Sequence, residues 1–168
     1  MKRTILILLS LLPLCLVAQD YEHSAGVRLG LTSGLTYKKF VNDTEAFEIL
    51  WSGRRDGSQI TALYEFHRPM EVAFNESFYF YYGVGGHIGY ERFDDLRKVI
   101  VSEVPLEFEY EERGYFAMGV DGILGVEYRY LEVPMTISFE VKPYLNFIGM
   151  RYTKSTFWDA GFSFKYIF

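Results

Sequence analysis

Three histidines follow residue 18: His23, His67 and His87. A histidine held beside a carboxylate can act as a general base. His87 is the best placed for that role. Alternation through Gly83-Val84-Gly85-Gly86-His87-Ile88-Gly89-Tyr90 sets it on one face with Glu91, and Glu65 falls on the same face of a neighbouring segment. The alternation also supplies a plainer reading, a histidine satisfied within a polar interior, and that reading is adopted. A lipid hydrolase needs a nucleophile or an activated water beside its base, yet no His-x-Ser occurs and no histidine follows residue 87. Asp94-Asp95 read as solvated charge. His23 reads as exposed and inert, and His67 as an interfacial strand end. No spacing suggests metal ligands. Gly83-x-Gly85-Gly86 is not a phosphate loop, because no helix follows it. The expectation is no catalytic residue, no cofactor and no metal.

The residues before position 19 suggest an export signal. Lys2 and Arg3 precede an apolar run from Ile5 to Ala18, too short to span a bilayer as a stable helix. Residues 1–18 read as a cleaved signal peptide and 19–168 as one domain. The single cysteine, Cys15, lies in the leader and follows Leu14, a poor neighbour for lipoprotein processing. The mature chain then has no disulfide framework and no thiolate site. Removing Lys2 and Arg3 leaves 15 basic residues against 22 acidic ones, a net charge near −7. With no basic cluster, nucleic acid is excluded as a partner. No later apolar run is long enough for a spanning helix, so a membrane-spanning form must be a closed barrel.

The rest of the chain alternates with period two, the signature of strands with one apolar and one polar face. Eight segments do so: 25–32, 35–38, 47–52, 60–67, 78–91, 120–130, 135–142 and 158–168. The first two count separately only if Thr32-Ser33-Gly34 is a turn; 25–38 could also be one strand. Loop lengths favour eight, since the long excursion 92–118 then joins the other long loops on one side. The polar faces carry Arg28, Lys38, Arg129, Lys142 and Lys165 against Glu48, Glu65, Glu91, Asp121, Glu127, Glu140 and Asp159. Near-balance of that kind suits a salt-bridged interior, just wide enough for side chains in an eight-stranded barrel. Gly83, Gly85 and Gly89 are expected to make room for neighbours such as Arg28 or Arg129. Tyr37, Trp51, Tyr90, Tyr128, Tyr130 and Trp158 lie near strand ends, as interfacial girdles require. Pro69, Pro105 and Pro134 fall in connections, and Pro143 is expected at a bulge near the outer rim.

The C-terminal stretch GFSFKYIF, with the leader, the alternating strands and the cysteine-free mature chain, resembles the small eight-stranded outer-membrane β-barrel proteins of Gram-negative bacteria. The resemblance implies an all-β, antiparallel, up-and-down transmembrane barrel in the cell outer membrane. It implies that Phe164, Tyr166 and Phe168 form an assembly signal for the barrel-assembly machinery. Lipid A deacylases sharing this fold carry a late-strand His-x-Ser that is missing here. The outer-membrane aspartyl proteases are larger barrels that pair aspartates with a His–Asp couple.

Within 92–118, Leu106, Phe108 and Tyr110 alternate with Glu107, Glu109 and Glu111. The flanking strands are expected to extend, either prolonging the barrel wall or forming a protruding hairpin whose acidic edge binds a partner by strand addition. The interior polar network is expected to comprise Arg28, Glu65, His87, Glu127, Arg129, Glu140, Lys142 and Lys165. The function expected is non-enzymatic: a monomeric structural or surface-interaction barrel whose partners are outer-membrane lipids and an extracellular protein or surface ligand. Three alternatives stand beside it. They are a lipid A or phospholipid hydrolase, a narrow small-solute pore, and a soluble lipocalin-like barrel with its aromatic faces turned inward.

Overall fold

The computed structural model describes residues 22–54, 57–70, 77–103, 106–130, 132–148 and 152–168, with the side chains of 54, 93–103, 106–113, 148 and 152 left aside. The expected leader 1–18, Cys15 and Pro105 lie outside the described residues. So do the side chains of Asp94 and Asp95.

Ten strand segments form one antiparallel sheet: β1 (His23–Gly30), β2 (Ser33–Asn42), β3 (Glu45–Arg54), β4 (Gly57–Pro69), β5 (Phe78–Glu103), β6 (Leu106–Arg129), β7 (Met135–Val141), β8 (Tyr144–Ile148), β9 (Tyr152–Thr156) and β10 (Ala160–Ile167). They make eight staves, because β7 with β8 and β9 with β10 are single strands interrupted once. On β6 the register passes through the first break unshifted: Val141 faces Leu124, Tyr144 faces Asp121, and Gly122 N–H donates to the Pro143 carbonyl at 2.8 Å. Pro143 interrupts the stave only because it has no N–H to give. On the other side three residues, Phe157, Trp158 and Asp159, face the two residues Lys142 and Pro143, since Val141 pairs with Ala160 and Tyr144 with Thr156. One extra residue makes this a β-bulge. The extra residue is on the stave opposite the proline.

The sheet closes where β1 pairs with β10, with Arg28 opposite Ser163 and Phe168 N–H donating to the His23 carbonyl at 3.0 Å. Residues 25–38 are two strands, since Arg28 pairs with Gly34. The turn itself is Leu31-Thr32 rather than Thr32–Gly34. Ser33 already belongs to β2 and its hydroxyl bonds Gly30 N–H and C=O. Pro69 ends β4, opposite Tyr79, rather than lying in a connection.

The excursion 92–118 is strand almost throughout. β4 stops pairing with β5 at Glu91, and β8 stops pairing with β6 at Ala117. Beyond those points, among the described residues, β5 and β6 pair only with each other, from Arg92 opposite Gly114 to Glu103 opposite Leu106, with register shifts at Asp94/Lys98 and Ile100/Ser102. At about 3.3 Å per residue, residues 106–114 of β6 make the ribbon on the order of 30 Å long, the extra residues of β5 being taken up in its bulges.

The alternation resolves into an inside and an outside. Val27, Leu29, Leu35, Ile49, Ile60, Val84, Val120, Leu124, Phe139 and Phe162 are exposed on the outer wall, while the charged faces are buried. A soluble lipocalin-like barrel would have these faces reversed. A continuous apolar exterior of this kind is what lipid solvates and water does not. Trp51, Tyr90 and Trp158 stand exposed toward the rim bearing the long hairpins, and Tyr130, with the half-buried Tyr128, toward the rim bearing the termini.

Candidate functional site: the charged lumen

Inside the wall, each stave contributes every second residue, and the closed sheet turns those residues toward one another. Arg28, Lys38, Lys142, Lys165, Glu48 and Glu65 are each at most 1% exposed. A buried charge must be paired and hydrogen-bonded to persist, and the lumen meets that condition in two clusters.

The first lies toward the long-hairpin rim. Arg28 from β1 donates through Nε to Glu140 at 2.6 Å and through Nη1 to Asp159 at 3.3 Å and to the Thr32 hydroxyl at 2.6 Å. Its Nη2 donates to the Asp159 carbonyl at 3.1 Å, and Thr32 donates to the Asp159 carboxylate at 2.5 Å. The bulge therefore does two things at once: it turns Asp159 inward onto Arg28 and leaves Trp158 78% exposed outside. Lys142 lies 3.1 Å from Asp121 and 3.8 Å from Asp159. His87 Nδ1 is 2.6 Å from Asp121, its Nε2 is 3.2 Å from Asn146 Oδ1, and Asn146 in turn donates to Glu91 at 2.6 Å. Lys154 reaches Glu91 from β9 at 3.4 Å.

The second cluster lies toward the terminal rim. Lys38 Nζ sits 2.7 Å from Glu65, 3.0 Å from Glu48 and 3.7 Å from Glu127. Lys165 is 2.7 Å from Glu48, which also accepts from the Thr36 hydroxyl. Arg129 donates to Glu127 at 3.0 Å and lies over the Tyr79 ring, 3.6 Å from its centroid. Cation–π contact of that kind adds to the pairing.

Tyr81 stands between the clusters. Its hydroxyl donates to Glu140 at 2.5 Å, Lys38 lies 4.4 Å from its ring centroid, and Leu63 and Ile123 pack beside it. The ring fits because Gly125 leaves room: a Cβ there would meet ring atoms at 2.5 Å. Gly161 and Gly119 make the same allowance for Arg28 and His87. Gly83, Gly85 and Gly89, expected to do this for arginines, instead approach the β4 backbone.

Two histidine placements differ from expectation. His67 is not an interfacial strand end: it is 1% exposed, stacked on Tyr81 at 4.9 Å, with Nε2 3.1 Å from Glu65. His87 meets Asp121 rather than Glu65, and Asn146 links it to Glu91. Both ring nitrogens of His87 are engaged and the side chain faces the lumen, away from any lipid substrate. Sequence reasoning missed Asn146, Thr32 and Lys154, whose carboxylate partners lie 55 to 127 residues away.

Phe164, Tyr166 and Phe168 lie on the outer face of the last stave, and Phe168 stacks on His23 at 5.9 Å. Leu106, Phe108 and Tyr110 lie on β6 within the ribbon; their side chains are outside the described set.

One solved structure decides what this architecture is. The crystal structure of the N-terminal β-barrel domain of Pseudomonas aeruginosa OprF superposes with a TM-score of 0.52 at 13% identity, covering 89% of this chain and all of that one. The chain has the fold of a small outer-membrane barrel. No family model and no curated protein sequence matches it. The OprF domain is thus a likeness of fold.

Proposed function

We propose that this chain is a non-enzymatic protein of the cell outer membrane that holds the β5–β6 ribbon at the cell surface. In this reading the termini and short turns face the periplasm and the ribbon faces outward. The observation that carries it is the pairing of a filled lumen with a wall extension. Arg28, Lys38, Tyr81, Lys142 and Lys165 are large side chains fully buried in the lumen, which disfavours a solute pore. The ribbon, by contrast, extends beyond every other stave and offers backbone groups to a partner. Both its edges lack a neighbouring strand among the described residues, so an extracellular protein or surface ligand would bind by strand addition. Phe164, Tyr166 and Phe168 would be read by the barrel-assembly machinery, and the barrel would work as a monomer solvated by outer-membrane lipid. The His87–Asp121 pair is the feature on which a hydrolase would rest, and its enclosure in the lumen speaks against lipid access.

Two measurements test the proposal together. Protease added to intact cells should cut between residues 92 and 116 and leave the barrel whole. Purified protein in a planar bilayer should give no steady conductance. Protection of the ribbon on intact cells, or a stable open channel, would contradict it.

A further inference from the structure

The two edges of the β5–β6 ribbon are not equivalent. Every extra residue at its register shifts belongs to β5: Asp95, Leu96 and Arg97 stand against Glu111 alone, and Val101 falls between Ile100 and Ser102 with no residue of β6 to match it. A bulged strand bends and its ladder is locally broken, which blunts it against further pairing. β6 has no extra residue from Leu106 to Phe116. Beyond Ala117, where its pairing with β8 ends, no other strand lies beside it among the described residues. The regular edge is therefore that of β6.

The register also says what that edge lacks. Leu106, Phe108 and Tyr110 alternate along it with Glu107, Glu109 and Glu111, and Glu112 follows. Opposite charges directly across a strand pair stabilise it, and like charges destabilise it. β5 does not supply the cations. Glu107 stands opposite Ser102, Glu109 opposite Val99 and Glu112 opposite Asp94. The basic residues of β5 are spent elsewhere: Lys98 stands opposite Tyr110 and Arg92 opposite Gly114, while Arg97 and Glu111 fall inside the first shift, off the paired positions.

We propose that the β6 edge receives an extended segment of another protein, with lysine or arginine at alternate positions and apolar residues between them. The inference rests on the surface reading of the ribbon and names its partner's chemistry. On such a segment the cations fall opposite Glu107 and Glu109, and the apolar residues opposite Leu106, Phe108 and Tyr110. Main-chain hydrogen bonds supply the affinity and the alternation supplies the selection. A second copy of this chain does not fit. β6 against β6 sets glutamates opposite glutamates or opposite apolar residues, and the β5 edge of a second copy carries the bulges.

The test uses the full chain in lipid nanodiscs and a short synthetic peptide alternating lysine with valine. Two control peptides go with it: one N-methylated throughout, with the same charge and no backbone donor, and one with glutamate in place of lysine. The lysine peptide should bind and slow hydrogen exchange of the amides at 106–116 while leaving those at 92–103 unchanged. Neither control should do so. The double variant Glu107→Gln, Glu109→Gln should weaken binding roughly threefold to tenfold, the sum of two cross-strand pairs. Equal binding by the N-methylated peptide would reduce the edge to a diffuse negative charge and overturn the proposal. Protection appearing on β5, unchanged affinity in the double variant, or absence of binding would overturn it as well. None of these touches the surface reading, which fails separately, if protease on intact cells leaves the ribbon uncut.

Discussion

Replacing Arg28 by methionine keeps most of the side-chain volume and removes the group that ties three parts of the wall together. Glu140 loses its 2.6 Å partner and retains Tyr81 and Ser163 as donors. Asp159 retains Thr32 and a distant Lys142 at 3.8 Å. Removing one partner of a buried pair costs about 3–5 kcal/mol, because the remaining charge is stranded in low dielectric. Two carboxylates are affected here, so Arg28→Met should fall toward the upper end of that range. Adding Glu140→Gln removes one stranded charge; its amide oxygen can still accept from Tyr81, while the amide NH2, in the place of Oε1, would donate to the Ser163 hydroxyl. The double variant should therefore recover about 1–3 kcal/mol relative to the single one, a coupling of the size expected for contacting residues. Equilibrium urea unfolding of the protein in lipid vesicles, followed by tryptophan fluorescence, measures both. A loss below about 1 kcal/mol for Arg28→Met, or simple additivity in the double variant, would refute the reasoning. Either result would mean that water, not protein, solvates the lumen charges.

Two further pairs of substitutions separate the inside of the wall from the outside. Gly125→Ala places a methyl against the enclosed Tyr81 ring and should cost about 1–3 kcal/mol; Gly53→Ala, with nothing within 4 Å, should stay within about 0.5 kcal/mol in the same unfolding assay. Leu124→Arg on the outer face should cost about 2–4 kcal/mol in vesicles, falling to about 0–1 for Tyr130→Arg at the rim. Equal costs at the two outer positions would mean that no hydrocarbon surrounds the barrel.

Much of the architecture is legible at period two. Alternation alone says which residues share a face, and that is why the last stave reads so clearly from Trp158 to Phe168. It cannot say which residues meet across the lumen, because stagger between staves is set by closure of the whole sheet. His87 illustrates the limit: Glu65 shares its face, yet the register puts Glu65 opposite Gly83, and Asp121 is the carboxylate in reach. The bulge at Phe157–Asp159 is equally hidden. Pro143 signals an irregularity, but the extra residue lies on the neighbouring stave, where nothing in the local sequence marks it. The ribbon was half visible. Alternation at Leu106–Glu111 suggested strand, while the absorption of three unmatched residues by β5 bulges between Asp94 and Ser102 depends on pairing.

The most direct test of the central claim, a lipid-solvated barrel locked by its interior charges, is the electrophoretic mobility of the protein from washed outer membranes, heated against unheated. The account predicts a distinct, faster-migrating unheated band, the detergent-resistant barrel, that converts to the unfolded position on heating. An identical mobility in both lanes, with the protein recovered in the soluble periplasmic fraction, would contradict it.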